Sequence, residues 1–123
     1  MEIWINPKCS KCHTALDTLD AAGATYTVRR YLENPPTTTD ITDVLDRLSL
    51  QPWDITRTRE PEADKAGLAK LTRTSADREA WITALAQHPT LIQRPILTTD
   101  DGFAVIARDQ DSLNQAIKHT HNP

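Results

Sequence analysis

The chain has only two cysteines, no long apolar run and no excess of positive charge, and each shortage removes a class of function. Two cysteines do not make the disulfide framework that staples small secreted domains. No stretch approaches the roughly 18 apolar residues of a membrane helix, and the opening MEIWINPKCS lacks the apolar region of a signal peptide. The expected location is therefore the cytoplasm, with no membrane partner. A formal net charge of −3 gives no basic face, so no nucleic-acid partner is expected either.

What the chain does have is pattern. Its hydrophobic residues, 38% of the total, come in periodic clusters, which marks a globular protein rather than a disordered one. A chain of 123 residues is most simply one domain, long enough to bury about two thirds of its unfolded surface. Glu2-Ile3-Trp4-Ile5 reads as a short buried strand closed by Asn6-Pro7. Cys12, Ala15, Leu16, Leu19 and Ala22 then recur at helical spacing, and Gly23 is placed to end that helix. Residues 25–31 (TYTVRRY), rich in β-branched and aromatic types, predict a second strand and complete a right-handed βαβ unit.

Asn34-Pro35-Pro36 breaks this pattern. Ile41, Val44, Leu45 and Leu48 form a helical stripe, with Thr37–Thr39 supplying N-cap candidates. Residues 61–70 and 75–87 predict two further helices, the last ending at His88-Pro89. Pro95–Thr98 and Phe103–Ile106, separated by a turn with Asp101-Gly102, read as a hairpin. A final helix is expected at about residues 110–119, carrying Leu113, Ala116 and Ile117. The order is βαβ, a helical block, then ββα. Without the block, about residues 37–90, this is the thioredoxin plan, a four-stranded mixed sheet with flanking helices. The expectation is one α/β domain with a helical insertion packed on one end of the sheet.

The chemistry is expected at Cys9-Ser10-Lys11-Cys12, directly after a strand and at the opening of a helix. Unpaired N–H groups and the positive end of the helix dipole stabilise an anion there, and Lys8 and Lys11 add charge. Such surroundings lower a cysteine pKa to between about 3.5 and 7.5. Cys9 is the expected nucleophile. Cys12, one turn later on the same face, either resolves a mixed disulfide or packs. A zinc site would need more ligands, for which only His13, His88, His119 and His121 are available, and no second CxxC exists; no metal is expected. Arg94-Pro95 opens the third strand, a position at which proline is tolerated. In thioredoxin-like proteins a cis-proline at this point faces the active cysteine.

Together these residues resemble the glutaredoxin-coupled arsenate reductases and their relatives, including the Spx-type regulators. The resemblance spans about residues 2–117. It is carried by Asn6-Pro7-Lys8-Cys9, Tyr31-Leu32-Glu33-Asn34-Pro35-Pro36, Arg57-Thr58-Arg59-Glu60-Pro61 with Gly67-Leu68, His88-Pro89, and Leu91-Ile92-Gln93-Arg94-Pro95-Ile96, with Arg108 opening the last helical segment. The resemblance implies that Cys9 attacks arsenate while Arg57, Arg94 and Arg108 hold the oxyanion through guanidinium forks. Asn6, Lys8, Lys11 and Pro95 take supporting positions. It also implies a thiol reductant rather than a bound cofactor: glutathione with glutaredoxin, or a thioredoxin-like protein acting on a Cys9–Cys12 disulfide. Two residues depart from the reductase pattern. Ile5 stands where many reductases have histidine, which leaves Lys8, Lys11 and the helix end to acidify the thiol. Cys12 is absent from many reductases and present in the Spx-type regulators. A redox-sensing regulator and a general thiol–disulfide oxidoreductase are therefore the alternative readings.

Overall fold

A computed structural model describes residues 1–121, and the side chains of residues 1–119. Its described residues form two units, Met1–Asn34 with the segment from Arg94 onward, and Pro35–Gln93.

The first unit is built around β1 (Glu2–Ile5), whose three apolar residues suit an interior strand. Parallel to it runs β2 (Thr27–Arg30), and antiparallel on its other side runs β3 (Ile96–Thr98), which pairs in turn with β4 (Ala104–Ile106). The strand order is β2-β1-β3-β4, the four-stranded mixed sheet expected of the thioredoxin plan. Strand alternation sends Ile3, Ile5 and Leu97 to one face, where they meet Cys12, Ala15 and Leu19 of α1 (Ser10–Ala21) and Leu113 and Ala116 of α5 (Gln110–His121). Ile3, Ala15, Leu19, Leu97 and Ala116 are wholly buried. Burial of Ile3, Leu19 and Leu97 contributes about 1.5–3 kcal/mol each relative to exposure, and each alanine less, so this cluster fixes the height of α1 over β1. Helix α1 ends in a Schellman turn: the N–H groups of Ala24 and Gly23 donate to the carbonyls of Leu19 and Asp20, with Gly23 at φ 69°.

In the second unit, α2 (Thr38–Leu48) and α4 (Arg78–Gln87) pack through Ile41, Val44, Leu45, Trp81, Ile82 and Leu85, all buried. The threonine run supplies a capping box, in which Thr37 Oγ1 accepts from Asp40 N–H and the Asp40 carboxylate accepts from Thr37 N–H. The helix predicted at 61–70 is not continuous. A single turn, α3 (Glu62–Lys65), stops where Gly67 takes φ 72°, and a 3₁₀ turn follows at Leu68–Lys70. Helix α4 begins later than its periodicity suggests because Asp77 accepts bonds from the N–H and hydroxyl of Thr72, which closes the preceding residues into a loop. An isolated bridge between Thr56 and Ile92, with Arg57 N–H donating to the Leu91 carbonyl at 2.6 Å, holds the two loop segments of this unit side by side.

Candidate active site

The tight turn between β1 and α1 delivers Cys9. The Asn6 side-chain oxygen accepts from the N–H of Lys8 at 3.0 Å, and the Asn6 carbonyl accepts from the N–H of Cys9 at 3.0 Å. His13, one turn into α1, bonds the Pro7 carbonyl through Nε2 at 2.6 Å and ties the turn to the helix that it precedes. Cys9 then occupies the N-cap of α1 in extended conformation (φ −96°, ψ 122°). Its side chain makes no capping hydrogen bond. The first-turn N–H groups of Cys12 and Lys11 nevertheless stand where they stabilise ionised sulfur.

Partial burial pushes the Cys9 thiol up. The Cys12 N–H, a hydrogen bond from the Arg94 guanidinium, the Cys12 thiol and the Lys11 N–H outweigh that cost and hold Cys9 at about 7. The Lys8 and Lys11 side chains are exposed, and the side-chain cation bonded to the sulfur is Arg94. Lys11 acts through its backbone. Cys12 is 1% exposed; burial pushes its thiol up to about 12, against the opposing N–H of Asn6 and with the help of the neighbouring Cys9 sulfur. Both cysteines are free thiols. They are thereby divided into an acidic thiol and a protonated neighbour already hydrogen-bonded to it.

Arg94 is fixed at both ends. Its carbonyl accepts from Arg108 Nη1 at 2.6 Å, and its guanidinium bonds both Cys9 and Tyr31. The Arg94–Pro95 peptide is cis, Pro95 is buried, and the Pro95 carbonyl accepts from Ala107 N–H at 2.9 Å. Arg108 and Ala107, just beyond β4, therefore anchor the backbone that carries Arg94. Ile5, in the histidine position of many reductases, is 5% exposed and belongs to the hydrophobic cluster under α1.

The structure brings Cys9, Cys12, Arg94, Arg108, Asn6 and Pro95 into the first unit. Arg57 belongs to the second, where its Nε and Nη2 both donate to Glu60 Oε1, at 3.1 and 3.0 Å. The histidines considered as zinc ligands are occupied separately: His13 with Pro7, His88 with Glu62 and His119 with Asp101. The His121 side chain lies outside the described ones. Among the described residues no group of three or more His, Cys, Asp or Glu side chains is arranged to hold a metal ion. No described helix is long and apolar enough to cross a membrane.

Two partners of the candidate arginines escape a reading of the sequence alone. Tyr31 looks like a strand residue, yet it lies beyond the end of β2, wholly buried, with its hydroxyl on Arg94. Glu60 is an ordinary acidic residue until its pairing with Arg57 is seen. The motifs containing them were the available signal. Chemically, an acidic thiol with a guanidinium on its sulfur and a second thiol behind it suits attack on an anionic electrophile followed by thiol exchange.

Residues 4–116 match the ArsC family. The chain is 57% identical over 117 residues to an uncharacterised protein from the glnII region of Streptomyces viridochromogenes, a match that covers 95% of this chain and 98% of that one. It is 29% identical over 118 residues to an arsenate reductase of Neisseria meningitidis, covering 95% and 97%. Among solved structures, an arsenate reductase from Vibrio cholerae superposes with a TM-score of 0.78 at 30% identity, over 97% of this chain and 98% of that one.

Proposed function

The chain belongs to the ArsC family, and from that premise we propose that it is a cytoplasmic, thiol-dependent arsenate reductase with Cys9 as its nucleophile. The observation that carries the reading is the Arg94 guanidinium hydrogen-bonded to a thiol held at about 7. Arsenate near neutral pH is an anion, and a thiolate attacking it meets charge repulsion. A guanidinium beside the sulfur offsets that repulsion and aims paired N–H donors at the oxyanion. By the family resemblance, Arg57 and Arg108 are the further candidates for holding the oxyanion.

In the first step the Cys9 thiolate forms a sulfur–arsenic(V) bond, and one arsenate oxygen, protonated, leaves as water. A second thiol then attacks the Cys9 sulfur. A sulfur–sulfur bond forms, the sulfur–arsenic bond breaks, and its electron pair remains on arsenic, which departs as arsenite. Two thiols have become one disulfide and arsenic has gained two electrons. When the second thiol is glutathione, Cys9 is left as a mixed disulfide for glutaredoxin. When it is Cys12, the product is an internal disulfide for a thioredoxin-like donor. The Cys12–Cys9 hydrogen bond supports the internal branch. The same bond favours a second reading, a dithiol oxidant sensor of the Spx type.

Binding without turnover tests the proposal. Arsenate, added with no reductant, is expected to protect Cys9 from a neutral alkylating agent, and phosphate and sulfate are expected to compete for the same site. Alkylation of Cys9 at an unchanged rate in saturating arsenate would overturn it.

A further inference from the structure

We propose that Tyr31 is a positioning residue for the reaction at Cys9: its buried hydroxyl oxygen accepts a hydrogen bond from the Arg94 guanidinium and aims that cation at the sulfur. The assignment rests on Cys9 as the reacting thiol.

The geometry argues for it in three steps. Arg94 carries a flexible side chain, and its backbone anchors, the Arg108 bond to its carbonyl and the neighbouring Pro95–Ala107 bond, do not orient the guanidinium. Something at the far end has to. Tyr31 is 0% exposed and follows β2 in a turn closed by Glu33 and Asn34 N–H groups donating to the Arg30 carbonyl at 3.0 and 2.9 Å. The phenol therefore presents its oxygen from a fixed backbone and a fixed ring, which has few rotamers to lose. Charge is decisive as well. A carboxylate in that place would form an ion pair with the guanidinium, as Glu60 does with Arg57. A tyrosine accepts the bond while remaining neutral. Burial pushes its ionisation up despite the opposing pull of Arg94, so the positive charge stays available to a thiolate or an oxyanion. With Ile5 apolar and buried, no imidazolium from that position shares the task.

The test is Tyr31→Phe, which keeps the ring and removes the acceptor. Thiolate ultraviolet absorbance followed against pH in a Cys12→Ser background is expected to show the Cys9 midpoint rising by about half a unit, which makes the thiol about twofold less ionised near neutrality. Where arsenate is turned over, kcat/KM is expected to fall about three- to tenfold. In an Arg94→Met background the same substitution is expected to move neither quantity. An unshifted midpoint, or an equal shift in the Arg94→Met background, overturns the assignment. Should the substitution cost the fold, a ring-fluorinated tyrosine at position 31, in a Tyr26→Phe background, weakens the oxygen as an acceptor without changing its shape. It must raise the midpoint too, or the assignment fails. The titration needs no arsenate, so a protein inert to arsenate leaves this result intact and counts against the arsenate reading alone.

Discussion

Removing the guanidinium from Cys9 has a consequence that reverses with pH. Arg94→Met keeps most of the apolar stem and deletes the charge. Among the largest contributions that favour the Cys9 thiolate, Arg94 supplies the formal cation. A hydrogen bond to a charged group is worth about 1.5–3 kcal/mol, or about one to two pKa units. Cys9 is half-exposed, and solvent screening favours the lower figure. The thiol would then move from about 7 to about 8. At pH 7 the thiolate fraction drops from about one half to about one tenth, but the less acidic thiolate is intrinsically about threefold more nucleophilic. Against a neutral disulfide probe the variant should be about twofold slower than wild type at pH 7 and about threefold faster above pH 9, the two profiles crossing between about pH 7 and 8. Stopped-flow thiol exchange in a Cys12→Ser background measures this directly. Profiles that superimpose, or a variant slower at every pH, would refute the reasoning that Arg94 acts on the sulfur through charge.

Other outcomes follow from the same proposal. Arg57→Ala and Arg108→Ala are each expected to lower kcat/KM for arsenate by about ten- to a hundredfold, as loss of one charge-assisted bond implies, with Arg→Lys recovering little of it. Steady-state kinetics with phosphate as competitor would read the loss as weaker oxyanion binding, and unchanged kinetics would remove that arginine from that role. Mass mapping of protein quenched during turnover is expected to show a Cys9–Cys12 disulfide, since the sulfurs are already hydrogen-bonded; a glutathione adduct on Cys9 with Cys12 free throughout would assign the single-cysteine route instead. Thr37→Ala removes the capping box of α2 and is expected to cost about 1 kcal/mol in a denaturant titration while leaving the Cys9 titration midpoint where it was.

How far the sequence carried these features depends on the range over which each is determined. Strand β1, helix α1 and its glycine stop are set by neighbours a few residues apart, and periodicity finds them. The CxxC at the mouth of α1 is legible for the same reason, because helix-end N–H groups are a property of position. The cation beside the sulfur is not set locally, and only the family resemblance pointed to Arg94. Proximity in the chain pointed to Lys8 and Lys11, but their side chains reach solvent, whereas Arg94 arrives through the β1–β3 pairing. Tyr31 shows the limit most sharply. Its β-forming neighbourhood suggests a strand face, while its role depends on a partner that only the fold brings near. The discontinuity at Gly67 was hidden by composition, since helix formers flank it, and it becomes plain once its φ is positive.

Passage of electrons from thiols to arsenate through Cys9 is tested most directly by arsenate-dependent thiol oxidation with each candidate reductant supplied in turn. NADPH consumption is followed with glutathione, glutathione reductase and glutaredoxin in one assay, and with thioredoxin and its reductase in another. Wild-type protein is expected to consume NADPH in proportion to arsenate added in at least one of them, and Cys9→Ser in neither. A wild-type protein inert to arsenate in both systems, with Cys9 fully reactive to a neutral disulfide, would contradict the account and leave the dithiol sensor as the reading of this site.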